Sequence, residues 1–235
     1  MRFYVSDIKF PIELKGDAHT HAAYSLRVRV GDYITMFDGK GREYSCKVTA
    51  VNKDKTCLEV IDTKENVGET KTEYTLYLSV IKQDRFEMAV QKATELGVGA
   101  IVPVYSSFTQ RGGNLNIDRL NKIAISACEQ CGRSKVPTIE QPIEFDELLE
   151  RTKHTHMIFP WERELQGSLL DAIDNSRSVS VFIGPEGGIT EQEKTALVNA
   201  GAHSVTLGPR ILRAETAAIT ALSVICCAMG EWRLD

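Results

Sequence analysis

Residues 181–216 read VFIGPEGGITEQEKTALVNAGAHSVTLGPRILRAET, and this stretch decides the fold. Two apolar runs, Val181-Phe182-Ile183 and Val205-Thr206-Leu207, each lead into a Gly-Pro pair, Gly184-Pro185 and Gly208-Pro209. After the first pair, Thr190-Glu191-Gln192-Glu193 has the Thr-x-x-Glu form of a capping box, which predicts a helix start. After the second, Ala214-Glu215-Thr216 opens an apolar helical run. Two strand-turn-helix units in tandem set two sharp loops at the carboxyl ends of parallel strands. In open α/β sheets that edge binds ligands.

The loops are stiff and carry charge. Pro185 and Pro209 fix φ and remove a donor, while Gly187 and Gly188 permit positive φ or close approach of a ligand. Glu186, Arg210, Arg213 and Glu215 stand beside that backbone. Upstream, Met157-Ile158-Phe159-Pro160 is a further strand ending in Pro, followed by Trp161-Glu162, and it would supply a third loop at the same sheet edge. Such loops offer backbone N–H and C=O groups that can hold a polar ligand without charged side chains. No Ser/His/Asp arrangement, Walker pattern or GxGxxG fingerprint is present, which disfavours hydrolysis, NTP use and Rossmann-type binding.

Phe182-Ile183-Gly184-Pro185-Glu186-Gly187-Gly188, together with Leu207-Gly208-Pro209-Arg210-Ile211-Leu212-Arg213-Ala214-Glu215-Thr216-Ala217, resembles the SPOUT class of RNA methyltransferases. Within it the chain resembles the ribosomal RNA small subunit methyltransferase E family. Ala214 stands where that family usually carries Thr, which removes a hydroxyl. Gln91 to Val98 and Ala127 to Ser134 also match the family's wording. The resemblance implies an α/β fold with a SPOUT-type parallel sheet, a C-terminal trefoil knot and a small N-terminal PUA-like β-barrel. It implies S-adenosyl-L-methionine as cofactor, a homodimer, and methyl transfer to N3 of one uridine in 16S ribosomal RNA, presented naked or in the assembled small subunit.

Site residues follow from the resemblance and the loops together. Phe159, Pro160, Ile183, Gly184, Pro185, Glu186, Gly187, Gly188, Leu207, Gly208, Ile211, Leu212 and Thr216 are expected to bind the cofactor. Arg210 and Arg213 are expected to stabilise the forming uracil anion. Glu215 is expected to accept the N3 proton or to cap its helix. Arg2, His21, Arg27, Arg111 and Arg133 are expected to meet RNA. Two other readings remain open from sequence: a SPOUT enzyme acting on tRNA, at a ribose hydroxyl for example, and a non-catalytic RNA-binding or ribosome-assembly protein of the same fold.

The rest of the chain divides near residue 70. Residues 1–70 read as short strands with turns, notably Tyr24 to Val30, Tyr33 to Phe37, Glu43 to Val51 and Cys57 to Asp62, which suggests a small closed barrel. Arg27 and Arg29 are expected on one strand face. Residues 71–235 are expected to form the methyltransferase domain. Thr75 to Ile81 is a buried strand. Phe86, Ala89, Val90, Ala93 and Leu96 mark a helix closed by Gly97, and Ile101 to Val104 is the next strand, giving a parallel β-α-β unit. A helix with Leu120, Ile123, Ala124, Ala127, Cys128 and Cys131 on one face follows. The run Ala217 to Met229 is apolar on nearly every side, as expected for burial or an oligomer interface.

The net charge of −4 is unevenly spread: 11 basic and 11 acidic residues in 1–70, 9 and 6 in 71–135, 8 and 15 in 136–235. A basic middle on an acidic frame can still track phosphates locally. The 235 residues suffice for one large domain or two modest ones. No run of about 18 apolar residues exists for a membrane span. The start, Met1 to Asp7, lacks the apolar core of a signal peptide. The six cysteines show no secreted-scaffold spacing, so a cytoplasmic protein is expected. Metal is not expected. Cys128-x-x-Cys131 is one pair without partners, and the pairs His19/His21 and His154/His156, each read as lying on one strand face, have no supporting ligand nearby.

Overall fold

The computed structural model describes residues 1–109 and 115–233, which fall into two compact units. The first holds Met1–Glu69 and Cys128–Val136, and the second holds Thr70–Ala127 and Pro137–Asp235.

The first unit is built on a curled five-stranded sheet in the order β1-β3-β4-β5-β2. Its strands are β1 (Arg2–Tyr4), β2 (Ile12–Lys15), β3 (Tyr33–Phe37), β4 (Arg42–Val51) and β5 (Lys55–Glu65). Only β1 and β3 pair in parallel; the other ladders are antiparallel. The curl brings Phe3 of β1 and Ile12 and Leu14 of β2 into one core with Ile34, Met36, Cys46, Val48 and Leu58. The expected strand Tyr24 to Val30 is not a strand. Helix α1 (Gly16–Thr20) runs on into a π-helical turn over His21–Ser25, closed by Leu26 N–H donating to the His21 carbonyl at 2.9 Å. Arg27 then takes a φ of 54°, which no strand tolerates. The alternation that suggested a strand is genuine, yet only Val28 is buried, while Tyr24, Leu26 and Val30 face solvent. His19 and His21 are likewise helical, and the buried His19 hydrogen-bonds Thr56 Oγ1 at 2.9 Å.

The second unit carries a seven-stranded sheet that is parallel throughout. Its strands are β6 (Glu73–Ser79), β7 (Ala100–Tyr105), β8 (Thr138–Ile139), β9 (Ile143–Glu144), β10 (His156–Pro160), β11 (Ser178–Ile183) and β12 (His203–Val205). Their order is β12-β10-β11-β6-β7-β8, with β9 also pairing with β7. The helices are α2 (Gln83–Glu95), α3 (Ile117–Cys131, whose last turn groups with the first unit), α4 (Phe145–Thr152), α5 (Glu191–Asn199) and α6 (Ala214–Ala228). Central strands are apolar on both faces because helices cover both. In β6, Leu76, Tyr77, Leu78 and Ser79 are all buried. Helix α2 buries Phe86, Ala89, Val90 and Ala93 at three-to-four spacing. Gly97 ends it at φ 93°, where a Cβ would also strike the Thr70 side chain. The capping box forms as expected: Glu193 N–H donates to Thr190 Oγ1 at 3.1 Å, and Thr190 N–H donates to Glu193 Oε2 at 2.9 Å.

Helix α6 packs on α2 and β11. Ala214, Ala217, Ala218, Ala221, Leu222, Ile225 and Cys226 are buried, while Thr216 and Cys227 are exposed. The chain beyond α6 is tied back to the start of β6. Glu231 accepts the backbone N–H groups of Lys71 and Thr72, each at 2.9 Å. Cys128 is buried, and burial pushes its thiol up to about 12. Cys131, expected on the same apolar face, is exposed.

Candidate active site

Strands β12, β10 and β11 are neighbours in the sheet, so their carboxyl ends, Val205, Pro160 and Ile183, stand side by side. The three following loops enclose a cavity of about 770 Å³. That volume suits a ligand of nucleoside size or larger. From the first loop come Trp161, Glu162, Glu164 and Leu165; from the second, Gly184 to Ile189; from the third, Thr206 to Arg213. Ala214 and Ala217 of α6 and Arg85 of α2 complete the wall.

Each loop is held by its own hydrogen bonds. In the first, Trp161 N–H donates to the Val205 carbonyl (3.0 Å) and Trp161 Nε1 to the Ile189 carbonyl (3.3 Å). Glu164 accepts from Ser204 Oγ (2.8 Å) and from the N–H groups of Leu165 (3.1 Å), Gln166 (3.2 Å) and Gly167 (3.4 Å). The Ser204 bond, then these backbone donors, hold its carboxyl below the usual range. In the second loop, Gly188 N–H donates to the Pro185 carbonyl (2.9 Å) and Gly188 sits at φ 80°. In the third, Gly208 N–H donates to Thr206 Oγ1 (3.1 Å) at φ 96°.

The glycines are not equivalent. A Cβ on Gly184 would strike Ile189 Cγ1 at 2.6 Å, and one on Gly187 would strike Phe108 at 2.8 Å. One on Gly188 would strike Glu162 Oε1 at 2.6 Å. A Cβ on Gly208 meets nothing within 4 Å, so Gly208 borders open space and is constrained by its positive φ instead.

Thirteen of the sixteen residues expected to bind cofactor or act in catalysis line this one cavity, Arg210 and Arg213 among them. Neither guanidinium pairs with another described residue, and both residues are exposed. Phe159 does not line it; it is fully buried in the core below. Thr216 lies on the exposed side of α6. Glu215 is buried in the first turn of α6, outside the lining, and its Oε2 has no hydrogen-bond partner. Sequence reading set Trp161-Glu162 in the loop after Pro160 without expecting either to bind, and it missed Glu164 and Arg85. The first three directly follow the recognised Phe159-Pro160, whereas no local pattern marks Arg85, which pairs with Glu186 at 3.2 Å.

The residues expected to meet RNA are differently disposed. His21 and Arg27 are exposed on the first unit. Arg111 lies outside the described residues. Arg133 corrects the expectation: it is buried, with its guanidinium on Glu69 at 2.8 Å and side-chain exposures of 4% and 7% for the pair. Glu69 also accepts the N–H groups of Ser134 (3.0 Å) and Lys135 (2.8 Å). Arg2 is committed too, pairing with Glu43 and donating to the Arg133 carbonyl at 2.8 Å. Both guanidiniums are turned into the fold, so neither is offered to a phosphate. Among the described residues no three His, Cys, Asp or Glu side chains are grouped to hold a metal, and no helix is long and apolar enough to cross a membrane.

Comparison with known proteins agrees with this geometry. An RNA methyltransferase domain model matches residues 68–226, and an RNA methyltransferase PUA domain model matches residues 14–61. The ribosomal RNA small subunit methyltransferase E of Rickettsia conorii is 34% identical, covering 91% of this chain and 88% of that one. Its Bacillus subtilis counterpart is 31% identical, covering 95% of each. A crystal structure of the Neisseria gonorrhoeae enzyme of the same name, bound to S-adenosyl methionine, superposes with a TM-score of 0.86 at 33% identity over 96% of both chains. By these matches, and by the three loops that build its cavity, the chain belongs to the ribosomal RNA small subunit methyltransferase E family.

Proposed function

We propose that the chain transfers the methyl group of S-adenosyl-L-methionine to N3 of one uridine in small-subunit ribosomal RNA. The observation that carries the reading is the convergence of three stiff loops on one cavity in a chain of this family. The cavity fits the cofactor: its volume suffices, Gly208 leaves open space at the wall, and glycines and prolines make up much of its second and third loops. Residues from Pro160, Ile183 to Gly188, Leu207, Gly208, Ile211 and Leu212 would hold it. Bound there, it supplies a methyl group already activated on a sulfonium, so the protein mainly has to align the reactants.

Arg210 and Arg213 bring unpaired positive charge to the cavity, where a uracil losing its N3 proton gains negative charge. Glu215 takes that proton in this reading. Support comes from its unpartnered buried oxygen, one residue from the cavity wall at Ala214. The N-terminal segment, residues 1–70, acts in RNA docking through exposed groups such as His21 and Arg27. Residues 71–235 carry the chemistry, with the chain threaded near its C-terminus as a trefoil knot.

The protein works as a homodimer in the cytoplasm. The outer side of α6, from Thr216 to Cys227, is the surface that a second copy would cover, and protection of the exposed Cys227 from alkylation would report it. The function is tested with labelled S-adenosylmethionine offered to unmodified small subunits, naked 16S RNA and tRNA. Label on one uridine of the ribosomal substrate, mapped as a block to Watson–Crick pairing, is the expected result. Label on tRNA or on a ribose, or no transfer at all, overturns it.

A further inference from the structure

Three carboxylates face the cavity, and two are already engaged. Glu186 is paired with Arg85 (3.2 Å), and Glu164 holds Ser204 Oγ and the backbone of its own loop. Glu162 makes no hydrogen bond or ion pair with another described residue. Its neighbours fix the backbone on both sides. Trp161 is buried and bonded to Val205 and Ile189, and Glu164 accepts the backbone N–H groups of residues 165–167. The Glu162 carboxylate lies where a side chain at position 188 would be, with Oε1 2.6 Å from the Cβ that Gly188 lacks. Gly188 therefore does more than turn the chain. Its φ of 80° calls for glycine, and the missing Cβ leaves the Glu162 carboxylate the place it occupies at the cavity wall.

A lone carboxylate set on a fixed backbone favours a cation, and charge-assisted contacts discriminate more sharply than neutral ones. We propose that Glu162 binds a positive charge of the methionyl part of the methyl donor, its sulfonium or its α-ammonium. It thereby selects that donor over neutral adenosine derivatives. This rests on the reading of the cavity as the S-adenosylmethionine site.

Calorimetry on the parent and Glu162→Gln, with three ligands, tests it. S-adenosylmethionine carries both charges, S-adenosylhomocysteine only the ammonium, and 5′-methylthioadenosine neither. Glu162→Gln should bind S-adenosylmethionine about tenfold or more weakly, with 5′-methylthioadenosine affinity unchanged. That unchanged affinity also certifies an intact cavity. Loss of S-adenosylhomocysteine affinity in parallel assigns the contact to the ammonium, and its retention assigns it to the sulfonium. Glu162→Asp, which keeps the charge, should recover part of the loss. Equal weakening of all three ligands, or unchanged S-adenosylmethionine affinity, overturns the inference while leaving the cofactor reading intact. A parent protein that fails to bind S-adenosylmethionine overturns both.

Discussion

Arg133 and Arg210 are the same residue type in opposite service. Arg133, in the first unit, is buried against Glu69, and Arg2 beside it is held by Glu43 and stacked 5.0 Å over the Phe37 ring. Arg210 and Arg213, in the second unit, stand exposed on a Gly-Pro loop and touch no described carboxylate. A buried guanidinium needs a partner to offset its lost hydration, so its charge belongs to the fold. An exposed one on a stiff loop keeps its charge for a ligand. Sequence alone does not separate the two cases, because what differs is the neighbour in space.

The comparison can be broken from either side, and the largest effect is expected at the cavity. Gly208→Val puts a branched side chain at φ 96° and into the open space of the cavity. Cofactor affinity should fall at least about a hundredfold, as for a filled pocket under backbone strain. Unchanged affinity by calorimetry in a folded variant would remove the cavity from the account. Next comes Arg133→Ala, which leaves the buried Glu69 charge with only two backbone N–H donors and should cost about 3 kcal/mol in urea unfolding. A loss below about 0.5 kcal/mol, typical of surface sites, would return Arg133 to the list of free cations. Arg27→Ala should leave stability alone and reduce the salt slope of RNA binding by about one. A parental slope in filter-binding titrations would show that Arg27 meets no phosphate.

The smallest effect is expected on the acid limb. Bonding to Lys15 and then Lys55 lowers Glu13 from its ordinary 4.5 to about 2. A depressed carboxylate stabilises the fold above its unfolded value and loses that contribution as pH falls through the folded one. The stability gap between the parent and Glu13→Gln should therefore be present above pH 4.5 and close toward pH 2. A gap independent of pH would mean that the ion pairs contribute nothing.

Local chemistry was legible where it acts over short spans. The capping box at Thr190, the C-terminal Gly97 of α2 and the Gly-Pro loops all follow from adjacent residues. The convergence of three loops was also legible, because each strand announced its own end. Three features were hidden for a common reason. Tyr24 to Val30 alternates like a strand but has no strand to pair with, and Arg27 turns it. Phe159 lies one residue before a strand end at the site yet is buried in the core. Arg133 sits in a polar stretch whose carboxylate partner is 64 residues away. Pairing, facing and neutralisation are long-range facts, and neither period nor composition records them.

The division of charge is tested most directly by crossing Arg210→Ala with Arg133→Ala. Single-turnover methylation at saturating RNA and cofactor is measured beside the unfolding free energy of each. Arg210→Ala should melt like the parent and transfer methyl about a hundredfold more slowly, the scale of losing one transition-state charge contact. Arg133→Ala should lose stability and keep the parental rate per folded molecule. Parental transfer by Arg210→Ala, or the same step lost in both variants, would contradict the account.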